Sequence, residues 1–134
     1  MFNKHYNKKL NTNIGILVWI SLLTFMVLLI IIIGGLTRLT DSGLSIVDWR
    51  PLMGIIPPLS SQAWIDTFNN YKLTPEFKIV NYKMSLKEFK FIYWWEWFHR
   101  FFARLIGMVL IIPFFYFFLK NKLSKNLLIT LIII

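Results

Sequence analysis

The sequence predicts an all-α membrane protein with two full transmembrane helices and the start of a third. Hydrophobic residues make up 57% of the 134 residues, and they lie in long blocks rather than at the spacing of an amphipathic helix. No charged side chain occurs in residues 10–37 or in residues 105–119. A helix needs about 20 mostly apolar residues to cross the roughly 30 Å of hydrocarbon in a bilayer.

Charge and cysteine content exclude several other classes of protein. The net charge is +9, but the basic residues are scattered or flank the apolar blocks. This placement is typical of topology signals and of contacts with anionic lipid headgroups. Membrane lipid is therefore an expected partner and nucleic acid is not. The chain has no cysteine, which excludes a disulfide, a thiolate metal site and a cysteine nucleophile.

The first elements are a polar head and a transmembrane helix. Residues 1–13 form the head, and residues 14–35 form the first transmembrane helix, which the pair Gly34-Gly35 is expected to end. The apolar run is longer than the about 7–15 residues of a signal peptide, and no Ala-x-Ala-like cleavage site follows it. We therefore expect this helix to be retained.

Residues 36–92 are predicted to form a long external loop. A single helix is excluded because proline interrupts helices, and the loop contains Pro51, Pro57, Pro58 and Pro75. A short helix is expected to begin at Ser60 or Ser61 and to run to about Tyr71.

A second short helix and the second transmembrane helix follow. Ser85 and Glu88 have the spacing of a capping box, which predicts a helix start at this point. Residues 93–119 form the second transmembrane helix. It contains Pro113, which membrane helices tolerate and which can kink them.

The chain closes with a turn over residues 120–126 and a third apolar run over residues 127–134. A helix of that length reaches only about 12 Å, so we expect a truncated third transmembrane helix. The lysine-rich head and turn are expected on the cytoplasmic or matrix side, and the long loop on the opposite side. The predicted location is a bacterial inner membrane, with the mitochondrial inner membrane as the alternative.

One segment of the second transmembrane helix combines ionisable and aromatic side chains. At about 100° per residue, Glu96, His99 and Arg100 share one face, and Arg104 lies at its margin. Ionisable groups in a spanning helix are costly and usually face the bundle interior or a functional site. A neutral imidazole is a good axial ligand for heme iron, and arginines pair with carboxylates such as heme propionates. Glu96 could act on protons near the iron or on a substrate group.

A purely structural interpretation is also open for these residues. Glu96, Arg100 and Arg104 follow one another at i to i+4 spacing, so they could form ion pairs near a helix end. The surrounding aromatic residues could form an ordinary interfacial belt. Residues 34–45 carry glycines, hydroxyls and Arg38, and this segment is either a helix stop with a turn or an anion-binding cap above a cofactor.

Several segments, taken in order, resemble the heme A synthase family of the mitochondrial and alphaproteobacterial type. The resemblance covers about residues 15–119, and the absence of loop cysteines fits this type because the other type carries a cysteine pair there. The main matching segments are residues 34–45, Trp49-Arg50-Pro51 with Gly54, Pro57-Pro58-Leu59, Pro75-Glu76, Met84-Ser85-Leu86, and Glu96-x-x-His99-Arg100 with Arg104 and Gly107.

The resemblance implies a bundle of eight spanning helices in two similar four-helix halves, each with two histidines that hold a heme. It implies oxidation of a methyl group of heme O to the formyl group of heme A, for use by cytochrome c oxidase. His99 is then a heme iron ligand in the N-terminal half, Glu96 is catalytic, and heme b is expected in the C-terminal half outside this sequence. From charge and position we assign Arg38, Arg100 and Arg104 to the propionates.

The partner histidine on the fourth helix is not in this sequence, so we expect the chain alone to be inactive. Partners implied are heme, heme O synthase, cytochrome c oxidase assembly factors and a second copy of the chain in a homo-oligomer. Two alternatives stay open. One is a non-enzymatic membrane heme-binding or oxidase-assembly subunit that pairs His99 across a symmetry axis, and the other is an inert gene remnant.

Overall fold

The structure is a computed structural model that describes residues 2–47 and 55–133, except for the side chains of residues 2–13 and 132. The motif Trp49-Arg50-Pro51 with Gly54 lies outside the described residues. Within the described ranges the secondary structure is entirely helical. The helices are α1 (Phe2–Leu39), α2 (Ser61–Lys72), α3 (Pro75–Ile79), α4 (Leu86–Leu119) and α5 (Lys125–Ile133).

Two of these helices are long and apolar enough to cross a membrane, over Ile14–Leu39 and Leu86–Leu119. Only 11% and 6% of their most apolar windows are buried within the chain, so most of their apolar side chains face outward, as in a membrane helix. The predicted all-α membrane class is confirmed. The eight-helix bundle and the orientation across the membrane stay predictions.

The end of α1 differs from the expected end at Gly34-Gly35. Both glycines lie inside the helix, which continues to Leu39. Asp41 adopts a φ of 50°, and the amide of Ser42 donates to the carbonyl of Thr37 at 2.9 Å. This left-handed residue with its backward hydrogen bond is a Schellman cap, which ends a helix more effectively than a glycine within an apolar run.

The helix α4 begins at the predicted capping box. The amide of Ser85 donates to the Glu88 carboxylate at 2.8 Å, and the amide of Glu88 donates to the Ser85 hydroxyl at 3.4 Å. The second short helix and the second transmembrane helix are one continuous helix, Leu86–Leu119, instead of two. The cap at Ser60 is also confirmed, because its hydroxyl accepts from the amide of Ala63 at 3.1 Å.

The chain forms two compact units, Met1–Val27 with Leu105–Ile134, and Leu28–Arg104. In the first unit Pro113 lies inside α4 and has no N–H to donate to the carbonyl of Val109, one turn earlier. The indole N–H of Trp19 donates to that carbonyl at 2.7 Å. Because an unpaired carbonyl in hydrocarbon costs several kcal/mol, this hydrogen bond compensates for the proline and joins α1 to α4.

The second unit has a largely aromatic core between α2 and the first turns of α4. Tyr71 of α2 is fully buried, and its hydroxyl accepts from the side-chain amide of Asn81 at 2.9 Å. Burial raises the pKa of the Tyr71 hydroxyl above its usual value of 10.0, so this group stays protonated. The buried members of the core are Trp64, Phe68, Tyr71, Phe89, Ile92 and Tyr93.

We predict that the Trp19 hydrogen bond depends on Pro113. Trp19→Phe should lower the free energy of unfolding in detergent by about 1 kcal/mol, a typical value for a hydrogen bond between membrane helices. In a Pro113→Ala background the cost should be smaller, because the new amide of Ala can donate to the carbonyl of Val109. An equal cost of Trp19→Phe in both backgrounds would contradict this role.

Candidate functional site

The polar face of α4 meets the turn that follows α1, and both belong to the second unit. Glu96 is only 3% exposed. The hydroxyl of Ser45 donates to its Oε2 at 2.6 Å, and the amide of Ile46 donates to the same oxygen at 2.8 Å. The guanidinium of Arg100 donates to Oε1 of Glu96. Three donors thus satisfy the buried carboxylate, which would otherwise be strongly destabilising.

Arg100 forms hydrogen bonds both with Glu96 and with the turn that contacts it. Its Nη2 atom also donates to the carbonyl of Ile46 at 3.3 Å, and its side chain keeps 29% exposure against 4% for that of Glu96. The i to i+4 ion pair that the sequence left open is therefore present. It is buried at the carboxylate and shared with the turn, unlike an ordinary surface pair.

The turn over residues 40–46 is built to bring Ser45 to α4. Asp41 ends α1 with its left-handed backbone conformation, and the amide of Ser45 donates to the carbonyl of Ser42 at 3.4 Å. The hydroxyls of Thr40 and Ser42 lie 2.5 Å apart. Ser42 and Ser45 are both fully buried, which is unusual for serine and requires hydrogen-bond partners.

His99 follows Glu96 by about one helical turn and lies against α1. A Cβ atom built on Gly34 would lie 3.5 Å from its Nε2 atom, which is van der Waals contact. The glycine therefore lets the imidazole approach the backbone of α1 closely. The ring is partly exposed, because its other side borders a cleft.

Two open clefts flank the segment Gly43-Leu44. The first cleft has a volume of about 380 Å³ and the second about 360 Å³. The first cleft is lined by Thr37, Arg38, Asp41, Gly43, Leu44, Glu76 and His99. The second is lined by Gly43, Leu44, Ile46, Val47, Thr74, Pro75, Glu76 and Arg100.

These contacts place four of the five residues predicted from the sequence in two pairs. Glu96 and Arg100 form one hydrogen-bonded group, and Arg38 and His99 line one cleft. Arg104 is on the same helix, but it lines neither of these two clefts.

Sequence reasoning missed Ser45 and Glu76 as site residues. Ser45 is the last residue of the glycine- and hydroxyl-rich segment, and Glu76 belongs to the pair Pro75-Glu76. Both positions belong to sequence motifs, but nothing in their local spacing connects them with residues on α4.

The chain matches known proteins over most of its length. Residues 17–134 match the family model described as Cytochrome oxidase assembly protein. A protein named Heme A synthase from Nitrosospira multiformis is 49% identical over 112 residues, which are 84% of this chain and 32% of that protein. The corresponding protein of Maricaulis maris is 52% identical over 81% of this chain and 32% of its own length.

A third relative named Heme A synthase, from Ehrlichia canis, is 45% identical over 121 residues, 90% of this chain and 35% of that protein. No solved structure matches the chain. The chain spans about a third of the length of these curated relatives. The bacterial relatives and the two membrane-spanning helices support the predicted inner-membrane location. By the family model that matches residues 17–134, the chain belongs to the cytochrome oxidase assembly protein family.

Proposed function

We propose that this chain is the heme-binding and catalytic part of a heme A synthase that converts heme O to heme A. The observation that carries the proposal is the cleft lined by His99 and Arg38, whose wall residues Gly43 and Leu44 precede Ser45, the donor to the buried Glu96. This site occurs in a chain whose relatives are named Heme A synthase. Heme O would be held there as the substrate whose methyl group is oxidised.

His99 is the proposed axial ligand of the heme iron. A neutral imidazole offers one ring nitrogen to iron while the other donates a hydrogen bond. The ring lies against Gly34 and also borders the first cleft. It is partly exposed, so His99 would hold the iron of a heme bound in this cleft.

The arginines are proposed to bind the propionates. Arg38 lines the same cleft as His99, so its guanidinium is available to a carboxylate of a heme held there. Arg100 is already bound to Glu96 through Nη2, but a guanidinium carries five N–H donors. Its exposed fraction of 29% leaves room for a propionate in the second cleft. The assignment of Arg104 rests on its charge and its place on α4.

Glu96 is the proposed catalytic residue. Its carboxylate lies one helical turn from His99 and is held in one direction by Ser45, Ile46 and Arg100. A carboxylate fixed in this way would act as a general base, which takes a proton from a substrate group.

Further parts of the proposal concern the whole protein. The donor of the substrate is a heme O synthase, the product passes to cytochrome c oxidase assembly factors, and heme b binds in a second half.

A non-enzymatic heme-binding subunit is the second candidate. It is favoured by one observation, because His99 is the single histidine among the side chains that the structure describes. A second copy of the chain would then supply the other imidazole.

We predict that His99→Ala abolishes heme binding by this chain. The test uses a hybrid in which the chain replaces the matching third of the Ehrlichia canis relative, expressed in cells without their own heme A synthase. Optical spectra of the purified hybrid give its heme content, and solvent extraction gives the heme A in the membranes. His5→Ala, which changes the other histidine of the sequence, is the control and should leave both unchanged.

The two candidate functions give different results in that experiment. A heme A synthase produces heme A in the hybrid, and His99→Ala removes it. A heme-binding subunit retains heme in the isolated chain but adds no heme A. Unchanged heme content in His99→Ala would show that this histidine is not the ligand.

We predict that Glu96→Gln retains heme but lowers the rate of heme A formation by about 10²–10⁴-fold, the usual contribution of a positioned acid–base group. Glutamine preserves the size of the side chain and removes the charge. Asp66→Asn is the matched control, because Asp66 is an exposed acid of α2 that bonds only with Gln62 among the described residues. Parent-level formation of heme A in Glu96→Gln would rule out the catalytic assignment.

A further inference from the structure

We propose that Ser45 is a positioning residue for Glu96, and that the two residues form a clamp between the turn and α4. We define the clamp as the Ser45 hydroxyl, the Ile46 amide, the Glu96 carboxylate and the Arg100 guanidinium. The existence of the clamp rests on contacts within the second unit. Its consequence for heme chemistry rests on the proposed function.

The first argument is that two donors converge on one oxygen. Ser45 and Ile46 are adjacent, and both donate to Oε2 of Glu96, at 2.6 and 2.8 Å. Adjacent donors on one oxygen fix the direction of the carboxylate, whereas a single donor would leave it free to rotate. Oε1 is directed towards Arg100. The orientation of Glu96 is therefore determined by the turn as well as by its own helix.

The second argument is that the contact is tertiary. Ser45 and Glu96 are 51 residues apart, and both are buried, Ser45 completely and Glu96 to 3% exposure. Hydrogen bonds to a charged group are stronger than those between neutral groups. A buried carboxylate that loses a donor has no water to replace it, so the Ser45 hydroxyl has a large influence on this position.

The third argument connects the clamp with the clefts. Gly43 and Leu44 line both clefts and precede Ser45 directly. Because the clamp fixes Ser45 and Ile46 to α4, it also holds Gly43 and Leu44, which form a wall of both clefts. Release of the clamp would change the direction of Glu96 and the shape of both clefts together.

The structure offers a matched control at Ser42. This serine lies in the same turn and is also fully buried, but within the described part of the chain its hydroxyl forms hydrogen bonds with Thr40 instead of with α4. Ser45→Ala and Ser42→Ala thus remove the same atom from the same kind of environment. Only the first removes a donor from Glu96.

The test uses Ile46→Cys as a reporter, which becomes the single thiol of a chain without cysteine. The side chain of Ile46 is partly buried and packs against the aromatic core. In the full chain, expressed in membranes, Ser45→Ala should increase the alkylation rate of this thiol by about tenfold or more, the ratio that a hydrogen bond to a charged group supports. Ser42→Ala should leave the rate near that of the parent, and Ser45→Thr, which keeps a hydroxyl, should restore it.

A double-mutant cycle separates positioning from a general loss of structure. If Ser45 acts through Glu96, Ser45→Ala adds no further increase in alkylation to Glu96→Ala. If Ser45→Ala fails to accumulate while Ser45→Thr and Ser42→Ala accumulate, the hydroxyl is again required. The clamp would be overturned if Ser45→Ala and Ser42→Ala increased the alkylation rate equally. It would also be overturned if Ser45→Ala increased that rate equally in the parent and in Glu96→Ala.

The same variants in the hybrid distinguish this inference from the proposed function. Ser45→Ala should reduce heme A formation while the heme bound through His99 is retained. If the parent hybrid makes no heme A and the alkylation rates change as expected, the clamp stands and the proposed function fails. If the parent makes heme A and Ser45→Ala affects neither alkylation nor heme A, the clamp fails and the proposed function stands.

Discussion

The second unit depends on the hydrogen bonds that the carboxylate of Glu96 accepts. An ionised carboxylate inside a helix that spans a membrane is costly unless it is paired and hydrogen-bonded. Here the cost is offset by Ser45, Ile46 and Arg100. These three donors come from two elements, α4 and the turn after α1. The same contacts that stabilise the charge therefore determine where the turn lies and how the clefts beside it are formed.

A comparable constraint operates in the first unit, on a backbone group. Pro113 leaves the carbonyl of Val109 without its usual donor, and Trp19 supplies one from α1. In the hydrocarbon of a bilayer no water is present to solvate the carbonyl, and the carboxylate is buried within the chain. Each unit thus satisfies a polar group of α4 with a donor that another segment provides. The resulting contacts are specific in direction, which packing of apolar side chains against lipid is not.

The sequence predicted the features that depend on local patterns. The long apolar runs predicted the two spanning helices, and the caps at Ser60 and Ser85 followed from side chains that bond to amides three residues away. Periodicity placed Glu96, His99 and Arg100 on one face of a helix. The end of α1 is predicted at Gly34-Gly35, and the structure places it four residues after Gly35, at Leu39. Asp41 ends the helix through a left-handed backbone conformation that composition does not reveal.

The candidate site was predicted less completely because its contacts cross long stretches of chain. Glu96 is predicted to be catalytic from its place on one helix and from the family resemblance, whereas its donors on the turn are 50 and 51 residues away. Glu76 reaches the clefts through α3, and no periodicity joins this short helix to α4. Tertiary hydrogen bonds of this kind become visible only when the fold brings the segments together.

The most direct test of the central claim is hydrogen–deuterium exchange at the amide of Ile46, compared between the parent chain and Glu96→Ala. This amide donates to Glu96, so its exchange should be slow in the parent and should become fast in Glu96→Ala. Asp66→Ala, which removes an exposed acid of α2, should leave the exchange slow. Equal protection in the parent and in Glu96→Ala would show that the carboxylate does not hold the turn, and the account of the second unit would be wrong.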